Sequence, residues 1–339
     1  MLKRALMVLL PLVLVACQNE ASPPPPPADI VTPALQALAE KARPGVLGVA
    51  ILDLGTGEMK GVNAEKPMPM QSVFKLPLAI AVMDAADKGK LSLDDTVSLA
   101  REQLSVAHSP IAEAFPERTD YTIEALIRAA VAQSDNTAAD LLLKRIGGPQ
   151  ALTRFFQRRG IESFRVDRYE YELQPQSVGL SEFIGQWIGL DAMMEAKEQV
   201  PVEAQRAALR LYLADPRDRV SPADMVQILS MLAKGQLLSP ASTEKLMGIL
   251  ESTTTGTDRL KAGAPHGATV YHKTGTGATV EGVASAINDV GIIELADGRR
   301  LAVAAFLAGS DLPPEQRAAL IAEVARIGTT KVAASAAVP

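Results

Sequence analysis

The spacing of apolar residues separates a helical middle of the chain from strand-rich ends. The unbroken apolar run at residues 45–54 is typical of a buried strand, and residues 59–63 return beside it after a glycine-rich turn. Residues 71–235 place apolar positions at intervals near 3.6, which predicts a series of helices that often end at glycine. Strand-length runs return at residues 268–275, 281–295 and 299–309, and a closing helix is predicted at residues 313–328.

This order predicts an α/β domain plus an all-α domain. Strands from both chain ends form one antiparallel sheet flanked by helices, and the middle of the chain is an inserted helical domain. We place the α/β domain at residues 33–68 and 252–330, the helical domain at residues 69–251, and a disordered tail at residues 331–339. The cleft between the two domains suits a small ligand.

The N-terminus has the pattern of an export signal. Two basic residues, Lys3 and Arg4, precede an apolar run that is too short to cross a bilayer, so residues 1–16 are predicted to be a signal peptide. Cys17 follows Leu-Val-Ala, which resembles the bacterial lipobox, where cleavage exposes the cysteine for lipidation. The alternative is an ordinary export signal followed by an unrelated cysteine.

Residues 17–32 contain five consecutive prolines, which favour an extended tether between a lipid-anchored Cys17 and the folded part. Both interpretations of Cys17 export the protein, and we expect it in the periplasm. Gln18 rather than Asp after the cysteine favours the outer membrane. With a single cysteine, no intrachain disulfide can form in that oxidising compartment.

Composition excludes several functional classes. Apolar residues make up 47% of the 339 residues and charged residues 22%, as in ordinary globular proteins. The formal net charge is −5, and basic residues are not interleaved with aromatic ones, so we expect no nucleic-acid partner. The three histidines lack metal-binding spacing, so we expect neither a metal nor another cofactor.

A serine and a lysine stand three residues apart where a helix begins. Ser72 and Lys75 therefore lie on one helix face. A serine hydroxyl becomes a nucleophile when a neighbouring group takes its proton, and a desolvated lysine is one such group. The alternative is an incidental pair, because Ser-x-x-Lys is a common pattern.

Two further polar motifs follow in the chain. Ser134-Asp135-Asn136 lies between two predicted helices, where the same residue types also serve as ordinary helix caps. Lys273-Thr274-Gly275-Thr276 lies on a predicted strand, where the lysine offers a charge for an anionic ligand and the glycine allows close approach to the backbone.

Together and in this order, the three motifs resemble the signature of class A serine β-lactamases, and the resemblance covers residues 33–330. It implies β-lactam hydrolysis through an acyl-enzyme on Ser72, whose proton is taken either by Lys75 or by Glu170 acting through water. It also implies that Ser134 and Lys273 protonate the leaving nitrogen. The residues implied in substrate binding, partly through backbone N–H groups, are Asn136, Thr274, Gly275 and Thr276.

A fourth segment resembles the start of the Ω-loop of this family, commonly Arg-x-Glu-x-x-Leu-Asn. It starts at Arg168 and selects Glu170 as the base that activates the deacylating water. Gln174 stands where the family has Asn, and the resemblance implies that it helps to position this water in the substrate site. Asp218 is the implied partner of Arg168. Relative to the family, the chain is longer after Gln174, and residues 175–214 are predicted to be an extra helical insertion.

The resemblance also implies a cation for the substrate carboxylate. Arg259 fits the pattern of a family subgroup, and a surface arginine is the alternative. We expect a monomer whose partners are a small-molecule β-lactam and, through the N-terminal lipid, a membrane. The rival functions are a penicillin-binding D,D-peptidase and a penicillin sensor that is acylated without turnover.

Overall fold

The computed structural model describes residues 29–180 and 189–332. The predicted signal peptide, Cys17, most of the tether and most of the tail lie outside the described residues. Within the part of the chain that is described, no helix combines the length and apolarity needed to cross a membrane.

Strands and helices alternate in blocks along the chain. The strands are β1 (Val46–Asp53), β2 (Met59–Val62), β3 (Met68–Pro69), β4 (Thr96–Ser98), β5 (Asp120–Thr122), β6 (Arg219–Val220), β7 (Thr269–Thr276), β8 (Thr279–Val280), β9 (Val283–Glu294) and β10 (Arg300–Ser310). The helices are α1 (Val31–Lys41), α2 (Lys75–Asp87), α3 (Pro110–Glu113), α4 (Ile123–Ala132), α5 (Asn136–Arg145), α6 (Pro149–Gln157), α7 (Glu170–Ser177), α8 (Gly189–Glu198), α9 (Val202–Ala214), α10 (Pro222–Ala233), α11 (Pro240–Glu251), α12 (Leu260–Gly263) and α13 (Pro314–Ile327). Short 3₁₀ turns lie at Gln71–Phe74 and Arg101–Gln103, and a π-helical turn lies at Gly328–Val332.

The main sheet confirms the predicted fold class. Its strand order is β2-β1-β10-β9-β7, all neighbours are antiparallel, and β8 pairs with the end of β9 beyond β7. Strands from the two ends of the chain therefore lie side by side. β9 and β10 form the predicted hairpin, and Gly298 in its turn has a φ of 84°, which glycine adopts without steric strain.

The sheet is covered on both faces, which explains why β1, β9 and β10 are buried at nearly every position. In β10, Leu301, Val303 and Leu307 pack in one core with α1 and α13. The alternate residues Ala302 and Phe306 pack in the other core, with α10 and the helical middle of the chain. The central strand thus joins the two cores of the protein.

α2 is the central helix of the helical part. Its residues from Lys75 to Met83 are all buried, and α4, α5, α6 and α11 pack around it. Side-chain hydroxyl groups cap the N-termini of other helices, as at Thr122 for α4 and Ser221 for α10. The pairs β3–β6 and β4–β5 were not predicted, because strands of two or three residues are too short to show a period.

The segment that contains α7, α8 and α9 is closed by an ion pair. The Arg168 guanidinium donates from Nε to Oδ2 of Asp218 at 2.6 Å, and Oδ1 of Asp218 accepts the backbone N–H groups of Asp167 and Arg168. This confirms the predicted partner of Arg168. Helices α8 and α9 lie between the two closing residues, so the predicted insertion at residues 175–214 is largely helical where it is described.

A buried carboxylate fixes the start of α7. Asp140 of α5 accepts the backbone N–H groups of Glu170 and Tyr171 at 2.8 and 3.1 Å, and the hydroxyl of Ser105 at 2.5 Å. Burial, and then the nearby charge of Glu170, raise the pKa of Asp140 to about 7. Asp140 therefore titrates near neutral pH while it holds the loop.

We expect Asp140→Asn to change how stability depends on pH. Because the pKa of Asp140 is raised from 3.8 to about 7 on folding, the stability that its protonation confers is complete below pH 4 and is lost as the pH rises through 7. Between pH 5 and 8 the parent should lose about 2–3 kcal/mol of unfolding free energy relative to the variant, measured by urea unfolding. The exposed Asp94 supplies the control, Asp94→Asn. Parallel pH profiles for parent and Asp140→Asn would contradict the assignment.

Candidate active site

Ser72 and Lys75 meet where the 3₁₀ turn at Gln71–Phe74 joins α2. The Nζ atom of Lys75 lies 3.0 Å from Oγ of Ser72. Lys75 is fully buried, whereas Ser72 is partly exposed and lines a cleft. The lysine therefore reaches the serine hydroxyl from inside the protein, and a ligand can reach it from outside.

The ammonium group of Lys75 has a complete set of acceptors. Besides Ser72, it donates to the backbone carbonyl of Ser134 at 2.8 Å and to Oδ1 of Asn136 at 2.5 Å. Oε1 of Glu170 lies 3.1 Å from Nζ and forms an ion pair with it, but outside hydrogen-bond geometry. The ammonium group is therefore held by three hydrogen bonds and one ion pair.

The Ser134-Asp135-Asn136 motif contributes one residue to a helix cap and two residues to the cleft. Asp135 is the buried N-cap of α5 and accepts the N–H of Ala138 at 2.8 Å, so the helix-cap interpretation holds for this residue. Ser134 has a φ of 62°, a strained value for a residue with a side chain. Ser134 and Asn136 both line the cleft, and the Asn136 amide donates to the carbonyl of Val106.

Lys273 of β7 lies behind Ser134. Its Nζ donates to Oγ of Ser134 at 3.0 Å and to the carbonyl of Thr274 at 2.8 Å. Burial, and then the charge of Lys75, hold the pKa of Lys273 well below its usual range. The Ser134 hydroxyl is therefore in contact with an ammonium that gives up its proton more readily than an exposed lysine.

The end of β7 presents hydroxyl groups beside an arginine. Arg259 donates from Nη2 to Oγ1 of Thr276 at 2.7 Å and from Nη1 to the carbonyl of Gly275 at 3.2 Å. The Thr274 hydroxyl lies 2.6 Å from that of Thr255. This places Arg259 at the predicted anion-binding end of the cleft rather than on an unrelated surface.

Gly275 has a structural role that was not predicted. A Cβ atom at this position would lie 2.5 Å from the carbonyl oxygen of Met70, which immediately precedes the nucleophile turn. The glycine thus makes room for the protein's own backbone, because β7 packs directly against the segment that carries Ser72. The side-chain amide of Asn288 on β9 stabilises the same segment, because it donates hydrogen bonds to the carbonyl oxygens of Pro69 and Met70.

Glu170 is held by a chain of amides that ends in the inserted helices. Gln174 donates from Nε2 to Oε2 of Glu170 at 2.7 Å and to Oε1 of Gln71 at 3.1 Å. Gln71 in turn donates to the hydroxyl of Tyr212 on α9 at 2.6 Å. The longer side chain of Gln174, compared with Asn, therefore spans the distance to both groups.

These residues surround a cleft of about 520 Å³. Its wall includes predicted residues from both sides: Ser72, Ser134, Asn136, Gln174, Thr274 and Thr276. Lys75, Glu170 and Lys273 are buried behind this wall. His108, an exposed loop histidine, lies at the rim, and residues of α8 form part of the wall.

Several residues of the site were not predicted from the sequence. Asn288 could have been identified from the sequence, because a polar residue within the apolar run 281–295 indicates a buried hydrogen bond. No local sequence pattern identifies Gln71, Asp140 or Tyr212, because their roles depend on contacts between segments far apart in the chain.

Comparisons with known proteins agree with this geometry. A sequence profile described as the Beta-lactamase enzyme family matches residues 30–332. The beta-lactamase VEB-1 of Pseudomonas aeruginosa is 31% identical over 326 residues, which cover 96% of each chain. The extended-spectrum beta-lactamase PER-1 of the same organism is 33% identical over 282 residues, 83% of this chain and 80% of that protein.

A solved structure of an ancestral class A beta-lactamase (GNCA) superimposes with a TM-score of 0.72 and 35% identity, over 89% of this chain and 99% of that one. A beta-lactamase from Chitinophaga pinensis superimposes with a TM-score of 0.73 and 32% identity, over 89% and 99%. With a serine, two lysines and a carboxylate assembled around one cleft in the same fold, the chain belongs to the beta-lactamase enzyme family, in its class A branch.

Proposed function

We propose that this protein hydrolyses β-lactams through an acyl-enzyme on Ser72 that is released by water activated at Glu170. The observation that carries the proposal is the position of Lys75, whose Nζ lies 3.0 Å from the Ser72 hydroxyl and 3.1 Å from the Glu170 carboxylate. One buried lysine thus connects the nucleophile of the first step with the base of the second.

In acylation, Oγ of Ser72 bonds to the lactam carbonyl carbon and the ring C–N bond breaks. Lys75 takes the Ser72 proton after passing its own excess proton to Glu170. The Ser134 hydroxyl protonates the leaving nitrogen and regains a proton from Lys273. The proton held on Glu170 then returns to Lys273 through Lys75 and Ser134. The net transfer is one proton from Ser72 to nitrogen, and the lysines and Glu170 regain their starting protonation states.

Substrate orientation comes from the two sides of the cleft. The backbone N–H of Ser72 lies in the first turn of a helix, where N–H groups have no helical carbonyl partner, and it would stabilise the oxyanion together with the N–H of Thr276 at the end of β7. Thr274, Thr276 and Arg259 would bind the substrate carboxylate, and Asn136 its side-chain amide.

In deacylation, Glu170 removes a proton from water, and the water oxygen attacks the ester carbon. The C–Oγ bond breaks, Ser72 regains a proton through Lys75, and the product is a ring-opened amino acid. The hydrogen bond from Gln174 holds the Glu170 carboxylate in place. This carboxylate favours the hydrolase over a D,D-peptidase or a sensor that remains acylated.

We expect Glu170→Gln to separate the two steps. The variant should still be acylated, although more slowly, because Ser72, Lys75, Ser134 and Lys273 remain but the excess proton of Lys75 must leave to solvent through the cleft instead of to Glu170. Its turnover of benzylpenicillin should fall about 10²- to 10⁴-fold, because deacylation loses its base. Mass spectrometry of the intact protein should show the penicilloyl adduct accumulating on the variant only.

The control is Ser72→Ala, which should show neither adduct nor turnover. Turnover by Glu170→Gln at the rate of the parent would show that Glu170 is not the base. A parent that forms the adduct with a single turnover would instead support the sensor.

We also propose that the protein is exported and anchored by a lipid on Cys17. The supporting features are the basic start, the short apolar run, Cys17 after Leu-Val-Ala, and the proline-rich tether at residues 17–32. The folded part would act in the periplasm, with the outer membrane favoured by Gln18. The site is built from residues of a single chain, which supports a monomer.

We expect Cys17→Ser to move the protein from the membrane fraction to the soluble periplasmic fraction of a Gram-negative host. Labelling with radioactive palmitate should mark the parent and leave the variant unlabelled, while penicillin turnover per molecule stays equal. Identical fractionation of parent and variant, both unlabelled, would establish the ordinary export signal instead.

A further inference from the structure

The inserted helix α8 forms a third wall of the cleft. Met193, Met194 and Lys197 line the same space as Ser72. Met193 is buried in a small apolar core with Ala107 and Val178, and Ala278 from the turn between β7 and β8 packs against this core. α8 therefore connects the helical side of the cleft with the sheet side.

Lys197 bridges α8 to the sheet without a neutralising partner. Its Nζ donates to the backbone carbonyl of Thr279 at 2.7 Å, and no carboxylate among the described residues lies within ion-pair distance. Partial burial lowers the pKa of Lys197. By contrast, Arg206 on α9 is neutralised by Glu203 and Glu281.

The Lys197 ammonium lies away from Arg259, the proposed site for the substrate carboxylate. Thr276 and Thr279 pair with β9 in one continuous register, so three residues of extended chain separate them, a distance of about 10 Å. Arg259 contacts Thr276 at one end of this edge, and Lys197 contacts Thr279 at the other. A ligand lying along the edge between them meets two separate positive charges.

We propose that α8 forms a side-chain subsite in which Met193 and Met194 contact an apolar group and Lys197 binds an anionic substituent. The preferred substrates are then β-lactams whose acyl side chain carries both an aromatic or aliphatic group and a carboxylate. This inference rests on the proposed function and specifies its substrate class. Two N–H bonds of the Lys197 ammonium have no protein acceptor among the described residues, so they are available to a carboxylate.

Three penicillins with the same phenylacetyl side chain provide the test, because they differ only at its α-carbon. Benzylpenicillin carries hydrogen there, ampicillin an ammonium and carbenicillin a carboxylate. In Lys197→Met, the kcat/KM of carbenicillin relative to benzylpenicillin should fall about five- to tenfold, and that of ampicillin should rise. Lys197→Arg should retain most of the preference of the parent, and added salt should weaken it.

The charge control is Lys234→Met, at an exposed lysine after α10, which should leave all three ratios unchanged. If Lys197→Met lowers kcat/KM for the three penicillins in parallel, Lys197 is only a structural link between α8 and Thr279, and the subsite is refuted. An unchanged carbenicillin ratio refutes it as well. If the parent is acylated without turnover, the acylation rates of the three penicillins make the same comparison, and only the proposed hydrolysis fails.

Discussion

The active site depends on a buried lysine ammonium at the start of α2. A charge of this kind is costly to bury unless each N–H bond finds an acceptor, and Lys75 finds them in Ser72, Ser134 and Asn136, with Glu170 beside it. These partners come from separate segments of the chain. The requirement to satisfy one ammonium therefore brings together the groups that the reaction needs.

The position of Glu170 depends on contacts on both sides of its helix. Asp140 binds the backbone at the start of α7, and Gln174 binds the carboxylate from the next turn. Gln174 continues through Gln71 to Tyr212, so the inserted helices contribute to the support of the base. The Arg168–Asp218 pair closes this segment, and Arg168 also contacts Gln176 and Asp215 within it. The insertion thus shapes the cleft and supports the base at the same time.

Much of the fold follows from periodicity and turn chemistry. The runs at β1, β9 and β10, the hairpin at Gly298 and the helical middle are all visible in the sequence, because each is a local pattern. The motif residues were predicted because they recur in a fixed order in this family. What could not be predicted depends on tertiary contact: α8 entering the cleft, Gln71 reaching Tyr212, and Met70 approaching Gly275. Asp135 shows that one motif can hold both a helix cap and cleft residues.

The strand order of the sheet has a consequence for when the enzyme becomes active. β1 pairs with β10, for example at Asp53 and Leu301. The centre of the sheet therefore cannot form until the C-terminal strand is present. Contacts between such distant positions form late in folding, whereas the helices between them involve local contacts. Lys273 reaches Ser134, and Gly275 of β7 packs against the Met70 carbonyl beside Ser72, only when the sheet is complete. A chain still being synthesised would therefore lack a working nucleophile until its C-terminal strands have been added.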